Sequence, residues 1–172
     1  MLKKGLMQIY TGNGKGKTTA AFGLALRAAG NNLKVFIGQF AKGCSYGEIK
    51  AVKKLKNITV EQFGRSCFIK GKPRREDIKK AERGLKRIEK VLTEKKYDVV
   101  ILDEINIAIH LKLLKTKDVI SAIKNAPKNI EIVLTGRKAP GELIRMADLV
   151  SEIKEIKHYY NKGVKARKGI EF

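Results

Sequence analysis

The sequence predicts a three-layer α/β/α fold on a mainly parallel sheet, and two observations carry that prediction. Short apolar or β-branched runs alternate with longer stretches of helical period, which is typical of strands covered by helices on both faces. Hydrophobic residues make up 43% of the 172 residues and there are only 3 prolines, so the chain can bury an ordinary core. Because no repeat or linker divides it, we expect a single domain over residues 1–172.

The predicted strands are the short apolar runs. They read LMQIY, VFIGQF, ITVEQF, VVIL, IEIVLT and VSEIKEI in chain order. Branched and aromatic residues dominate the first five, as expected of buried strands. The six predicted strands cover residues 6–10, 35–40, 58–63, 99–102, 130–135 and 150–156.

Helices are predicted between these strands. The first, residues 17–29, is rich in alanine and leucine and ends at Gly30, a C-terminal stop signal. The longest covers residues 75–95 and carries one apolar stripe that should face the sheet. The stripe residues recur at spacings of three and four: Ile78, Ala81, Leu85, Ile88 and Leu92.

The charge of the chain is its unusual feature, with 38 Lys and Arg against 17 Asp and Glu and a net charge of +21. Such a field attracts polyanions, whether a nucleotide, a nucleic acid or an anionic cofactor. The lysines are spread over segments predicted as helical, at residues 50–56, 79–96 and 112–117, which favours a solvated face. Aromatic residues, at 6% without tryptophan, are too sparse for a base-stacking platform, so the composition argues against a nucleic-acid partner.

The sequence also argues against a membrane association. No apolar run approaches the roughly 18 to 20 residues that a membrane span needs. The basic N-terminus leads into a strand without the apolar core of a signal peptide. We therefore expect a soluble, cytoplasmic protein.

The first functional motif, TGNGKGKTT at residues 11–19, lies between the first strand and the first helix. Glycines let the backbone bring N–H groups to phosphate oxygens, and the helix N-terminus adds partial positive charge. In such a P-loop Lys17 reaches the phosphates and Thr18 offers its hydroxyl to Mg²⁺. The usual first glycine is replaced by Thr11, so the loop is reset by one residue. The predicted ATP-binding residues are Gly12, Asn13, Gly14, Lys15, Gly16, Lys17, Thr18 and Thr19.

The second motif is the apolar run at residues 99–102, which ends on Asp103 and Glu104. Ligands of parallel α/β sheets gather at the carboxyl ends of strands, and an acid there can hold Mg²⁺ directly or through water. We expect Thr18, Asp103 and Glu104 to surround the metal, and which carboxylate touches it is open. Lys17, Thr18 and Glu104 are the predicted catalytic residues.

A third candidate is Arg137, which follows the strand at residues 130–135. There it can reach a phosphate or stabilise a leaving group, although an ordinary exposed arginine fits the pattern nearly as well. His110 and His158 have no evident partners, and no Ser/His/Asp or Cys/His arrangement supplies a nucleophile.

With these motifs in place, the chain resembles the ATP:corrinoid adenosyltransferases of the CobA/BtuR type. The resemblance runs through nearly the whole sequence, and the reset loop is the family's own form. The segments that carry it are residues 11–23, 39–40, 42–43, 47–48, 102–104, 135–137, 147–152, 157–158, 163–166 and 169–171.

This resemblance implies transfer of the 5′-deoxyadenosyl group of ATP to the Co(I) of a reduced corrinoid with release of triphosphate, in adenosylcobalamin synthesis or salvage. Because Co(I) is the nucleophile, the protein need not supply one. The resemblance further implies a RecA-like P-loop sheet, a homodimer, a reductase that supplies Co(I), and Mg²⁺ as cofactor. It also implies that Arg27 contacts the nucleotide and Phe68 the corrinoid.

The chain departs from the family pattern on the corrinoid side. Lys70 stands where a tryptophan is common, and the loop at residues 42–48 is one residue short and lacks its usual tryptophan. The sequence His158-Tyr159-Tyr160 replaces a more usual His-Pro-Phe. The departures concern the corrinoid pocket, so substrate range and efficiency depend on them while nucleotide binding does not.

Two other functions are compatible with the residues. The charge of +21 and Glu104, as an activator of water, would suit a nucleic-acid-stimulated RecA-like ATPase. A module that binds nucleotide or adenosylated corrinoid without turnover is the other. The product separates them, because the transferase releases triphosphate and the ATPase releases ADP and phosphate.

Overall fold

The computed structural model describes residues 2–44, 46–65, 69 and 71–172. Within these residues six strands form one sheet in which every neighbouring pair is parallel. The strands are β1 (Met7–Thr11), β2 (Val35–Phe40), β3 (Ile58–Phe63), β4 (Val99–Asp103), β5 (Glu131–Thr135) and β6 (Leu149–Glu152). Their order across the sheet is β3-β2-β4-β5-β1-β6. The predicted α/β class and parallel sheet are thereby confirmed.

Helices cover both faces of the sheet, as the alternation of strands and helices predicts. The helices are α1 (Lys17–Gly30), α2 (Gly47–Val52), α3 (Arg75–Thr93), α4 (Ile105–His110), α5 (Thr116–Lys124) and α6 (Gly141–Met146), followed by a 3-10 turn at Tyr159–Lys162. Helices α1 and α2 pack on one face and α3 to α6 on the other, so the core has two apolar clusters. Successive residues of β4 alternate between them, with Val99 and Ile101 in the α1 cluster and Val100 and Leu102 in the α3 cluster.

The last strand is shorter than predicted: β6 covers Leu149–Glu152, whereas the sequence predicted residues 150–156. Strand β6 pairs with β1, and the pairing ends at Thr11↔Glu152 because β1 ends there and the glycine loop begins. Ile153 still donates its N–H to the Thr11 carbonyl at 2.9 Å, and its own carbonyl accepts from Gly14. The chain after β6 therefore turns from the sheet onto the loop.

Helix α3 supplies most of the cover on its face. Four residues of its apolar stripe are buried, Ala81, Leu85, Ile88 and Leu92, and Ile78 at the start of the helix is half-buried. The helix ends at Thr93 instead of residue 95 because Lys95 adopts a left-handed backbone with φ of 51°. At its start, Asp77 accepts the Arg74 N–H at 2.9 Å and satisfies one of the free donors of the first turn.

The lysine-rich stretch at residues 112–117 is not a continuous helix. Lys112 has φ of 59°, so the chain breaks between α4 and α5. The break turns Leu113 and Leu114 into the core, where they are 3% and 7% exposed. Similarly, α2 ends at Val52, short of the lysines that follow it.

The topology brings β1, β4 and β5 together, so that their carboxyl ends share one edge of the sheet. That edge lies at the N-terminus of α1, because the loop after β1 leads directly into this helix. The described part of the chain contains no helix long and apolar enough to cross a membrane.

Candidate active site

The glycine loop between β1 and α1 is shaped by the chain that follows β6. A side chain on Gly12, where φ is 94°, would bring its Cβ within 2.4 Å of the Ile153 carbonyl oxygen. Gly14 donates its N–H to that same oxygen at 2.7 Å. Gly16 caps α1 with φ of 120°, a backbone region that favours glycine. The glycine spacing is thus required by one close backbone approach and one left-handed turn.

Lys17 is the buried cation of the loop. Its side chain folds back over the loop, and Nζ donates to the Gly14 carbonyl at 2.6 Å. Burial lowers the pKa of this lysine, and the nearby Glu104 carboxylate offsets the effect only in part. An ammonium that is buried beside loop amides at a helix N-terminus creates a site that favours a bound anion.

Asp103 joins the strand ends beside this loop. It is fully buried at the end of β4 and accepts hydrogen bonds from three side chains. The donors are Thr135 Oγ1 at 2.6 Å, Thr18 Oγ1 at 2.9 Å and Gln39 Nε2 at 2.9 Å. Strands β2, β4 and β5 and helix α1 are therefore tied together through one carboxylate.

Lys42, which follows β2, lies against the same group of oxygens. Its Nζ is 3.2 Å from Glu104 Oε1, 3.3 Å from Thr18 Oγ1 and 3.7 Å from Asp103 Oδ2. Burial alone would lower the pKa of Lys42, but Asp103 and Glu104 raise it on balance. A positive charge is thus already present among the three residues predicted to surround Mg²⁺.

Glu104 is held in place by its backbone. Its φ is 59°, and its N–H donates to Thr135 Oγ1 at 3.0 Å. Gly136, which follows β5, lies close to the Glu104 carboxylate. A Cβ at Gly136 would be 3.2 Å from Glu104 Oε2, so the glycine leaves space for this side chain. A non-glycine residue in this backbone region is uncommon and is often found at functional positions.

The donor set fits a magnesium ion bound together with a nucleotide. No group of three or more His, Cys, Asp or Glu side chains that could hold a metal occurs in the described ranges. Mg²⁺ does not need one, because it commonly binds through one or two carboxylates and takes its other ligands from phosphates and water. Thr18, Asp103 and Glu104 supply oxygens of the required kind.

A cavity of about 930 Å³ opens beside the loop. The polar part of its lining comprises residues 14–19, Lys42, Glu104 and Arg137. Its apolar lining residues are Phe22, Leu26, Ile69, Ile107, Leu111 and Phe172. The volume and the mixed lining suit an organic ligand with an anionic group.

The remaining predicted site residues have different positions. Arg137 is exposed on the rim of the cavity, and Thr19 lines it. Arg27 is exposed on α1 and lies outside the described lining of the cavity, as do Gly12 and Asn13. Phe68 and Lys70, which bear on the corrinoid, lie outside the described residues.

The C-terminal segment, defined here as residues 153–172, forms part of the site. Lys15 Nζ donates to Glu171 Oε1 at 2.7 Å, to Tyr159 Oη at 2.7 Å and to the Ile170 carbonyl at 3.2 Å. Hydrogen bonds from Arg167, Lys15 and Tyr159 hold the pKa of Glu171 well below its usual range. The pattern of the sequence did not point to this contact, because the partners are 156 residues apart.

Comparison with known proteins gives one consistent family. A family model described as ATP:corrinoid adenosyltransferase BtuR/CobO/CobP matches residues 3–172. The corrinoid adenosyltransferase of Pseudomonas aeruginosa is 36% identical over 99% of this chain and 85% of its own length. Those of Sinorhizobium and Escherichia coli K12 are 34% and 31% identical, each over 99% of this chain and over 81% and 87% of their own lengths.

A solved structure supports the fold. The flagellar accessory protein FlaH from Methanocaldococcus jannaschii superposes with a TM-score of 0.59. The similarity covers 88% of this chain and 72% of that one, at 17% sequence identity. At that identity the similarity supports the fold and gives no information about the reaction.

Proposed function

Because the chain belongs to the ATP:corrinoid adenosyltransferase family, we propose how its residues carry out that family's reaction. The enzyme transfers the 5′-deoxyadenosyl group of ATP to the cobalt of a reduced corrinoid and releases triphosphate, in the formation of adenosylcobalamin. One hydrogen bond supports the assignment of these residues: Thr18 Oγ1 donates to the Asp103 carboxylate at 2.9 Å. Thr18 directly follows Lys17, the predicted phosphate-binding lysine. This hydrogen bond therefore joins the residue that follows Lys17 to the carboxylate at the end of β4.

The loop binds the triphosphate of ATP. Its backbone N–H groups and the ammonium groups of Lys15 and Lys17 surround the phosphate oxygens. Arg137 reaches the same oxygens from the rim of the cavity. Arg27 lies on α1 outside the cavity lining, and its contact with the nucleotide is assigned from the family resemblance alone. Lys17 is only 7% exposed, so its ammonium attracts a phosphate more strongly than the ammonium of a solvated lysine does.

Thr18, Asp103 and Glu104 would hold Mg²⁺ together with the nucleotide, and a bound ion would supply positive charge next to the triphosphate. Lys42 supplies part of that charge before the nucleotide arrives, since its ammonium lies 3.2 Å from Glu104 and 3.3 Å from Thr18. Glu104 therefore serves as an oxygen ligand in this assignment, and no general base is required.

The corrinoid binds in the cavity beside the nucleotide. The electron pair of Co(I) forms the bond to C5′ of the adenosyl group as the C5′–O bond breaks, and the electrons of that bond go to the departing triphosphate. Lys15, Lys17 and the loop amides stabilise the charge that grows on the phosphate oxygen. Phe22, Leu26 and Ile107 are among the apolar lining residues and exclude water from the reduced cobalt. Phe68 contacts the corrinoid, as the family resemblance implies.

The enzyme acts as a cytoplasmic homodimer that receives its Co(I) corrinoid from a reductase. What supports a subunit contact, besides the family resemblance, is the exposed edge strand β6. Its apolar residues Leu149 and Val150 are 45% and 41% exposed, which leaves an apolar surface available to a partner.

An anaerobic assay tests the proposal. Purified protein is mixed with Mg²⁺, ATP and a chemically reduced corrinoid, and the cobalt spectrum and released triphosphate are followed together. We expect one triphosphate for each light-sensitive Co–C product, and no product from Lys17→Ala. Formation of ADP in place of triphosphate, stimulated by added DNA or RNA, would contradict the transferase and favour an ATPase.

A further inference from the structure

Lys15 is held by three oxygens of the C-terminal segment. Its ammonium bonds to the Glu171 carboxylate, to the Tyr159 hydroxyl and to the Ile170 carbonyl. The ammonium also lies 5.5 Å from the centre of the Tyr159 ring. Lys15 lies in the phosphate loop, so the cation expected on the triphosphate already has an anionic partner within the protein.

Glu171 does not depend on Lys15 for its own charge balance. The Arg167 backbone N–H donates to Glu171 Oε2 at 2.6 Å, and the Arg167 guanidinium adds contacts of 3.3 Å. The Tyr159 hydroxyl donates to the same carboxylate. If Lys15 leaves, Glu171 keeps one cation and two further donors, so no unpaired carboxylate results.

Lys15 has the freedom to leave. Its side chain is 42% exposed, compared with 16% for Glu171. The backbone of the loop is fixed separately, through the Gly14 N–H and the Ile153 carbonyl at 2.7 Å. A change of partner by Lys15 therefore needs a rotation of one side chain and leaves both backbones in place.

We propose that Lys15 exchanges Glu171 for the triphosphate, so that Glu171 competes with the triphosphate for one ammonium group and favours release of the triphosphate product. This inference rests on the proposed function, since it takes the loop as the triphosphate site. Glu171 acts through Lys15 and is a positioning residue. The C-terminal segment then has a part in turnover, beyond its part in shaping the cavity.

The binding of inorganic tripolyphosphate with Mg²⁺, measured by calorimetry, tests this competition. Glu171→Gln removes the competing charge and is expected to bind tripolyphosphate roughly two- to fivefold more tightly, the range of a partly solvated ion pair. Glu155→Gln is the matched control, because Glu155 lies in the same segment but pairs with Asn161 at 3.0 Å. It should bind as the wild type does.

A double-mutant cycle separates exchange from simple repulsion. In a Lys15→Met background, Glu171→Gln should leave the tripolyphosphate affinity unchanged, because the shared ammonium is gone. Equal or weaker binding by Glu171→Gln alone would overturn the inference, and so would a gain that persists in the Lys15→Met background. Should Glu171→Gln fail to fold, Glu171→Asp replaces it, with a smaller change expected in the same direction.

The same titrations distinguish this inference from the proposed function. Wild-type protein that binds no tripolyphosphate would refute the loop as a triphosphate site and the inference with it. Wild-type binding without the predicted difference between variants would refute the exchange alone.

Discussion

Lys42 and Glu104 form an ion pair of 3.2 Å where the sheet meets the phosphate loop. Their side chains are only 11% and 18% exposed, so this pair differs from the solvated pairs of the surface. In a largely buried pair the loss of one partner leaves an uncompensated charge, which costs more than the pair itself contributes. In the metal-free protein Lys42 therefore balances the charge of Glu104 and of the nearby Asp103.

Lys42→Met should destabilise the metal-free protein by about 3 kcal/mol, since Asp103 and Glu104 lose their cation. Divalent metal should then stabilise the variant more than the wild type, because it replaces that charge. Urea unfolding with and without Mg²⁺ measures both effects. Lys86→Met, at an exposed position of α3, is the control and should match the wild type; an equal unfolding free energy for Lys42→Met would contradict the prediction.

Lys17→Met should weaken ATP binding by roughly ten- to a hundredfold, the value of a hydrogen bond to a charged group. Its effect on stability should be small or favourable, because burial disfavours the charged form and lowers the pKa of this lysine. Calorimetric titration with ATP and urea unfolding of the same samples separate the two effects. Lys90→Met, on the exposed face of α3, serves as control; retained ATP affinity in Lys17→Met would remove Lys17 from the site.

Asp77→Asn should lower the free energy of unfolding by about 1 kcal/mol at neutral pH, as the loss of a helix cap does. Hydrogen bonds from Arg65 lower the pKa of Asp77, so its folded pKa lies below its unfolded value. The stabilisation is thus complete above the unfolded pKa and is lost as the pH falls through the folded one. The difference in unfolding free energy between Asp77→Asn and the wild type, measured by urea unfolding, should therefore become smaller below about pH 4.

Glu76→Gln is the matched control for that experiment. Glu76 pairs with the same Arg65 at 3.0 Å, but its side chain is 69% exposed. A solvated pair contributes little, so this variant should stay within about 0.5 kcal/mol of the wild type. Equal losses for both variants would show that net charge near Arg65 matters and the cap does not.

Gly84→Ala should destabilise the protein by about 1 to 3 kcal/mol, although alanine is normally the better helix former. A Cβ at this position of α3 would lie 2.5 Å from Cγ of Phe63, whose ring packs on Phe40 at 5.2 Å. Gly23→Ala, in α1, meets no heavy atom within 4 Å and should stabilise by about 0.5 to 1 kcal/mol. Thermal unfolding compares them, and a gain in Gly84→Ala would contradict the packing argument.

The parts of the fold that sequence patterns predicted well are those set by local composition. Strands β2 and β3 begin and end at the predicted residues, because turn residues bound each apolar run. The short helices α4 and α6, each of six residues, are too short to show a helical period. The break at Lys112 was missed because burial of the two leucines after it outweighs the helical preference of the lysines.

In the site, the motifs predicted which residues converge but not what holds them there. Lys17, Thr18, Asp103 and Glu104 lie together at the strand ends, as the order strand, glycine loop, helix indicates. The partners Gln39 and Lys42 were visible only as parts of the family resemblance. Contacts over long sequence separations leave no periodic signal. The proximity of Thr18 and Asp103, which are 85 positions apart, was predicted only because both belong to known motifs.

The position of β1 within the sheet has a consequence for synthesis on the ribosome. The strands β2, β3 and β4 are complete by residue 103, and β2 pairs with β3 on one side and β4 on the other. Strand β1 is made first, yet its neighbours are β5 and β6, and Gln8 pairs with Val133 on one side and Leu149 on the other. The nascent N-terminal strand must therefore wait, with its glycine loop unformed, until the last third of the chain has emerged.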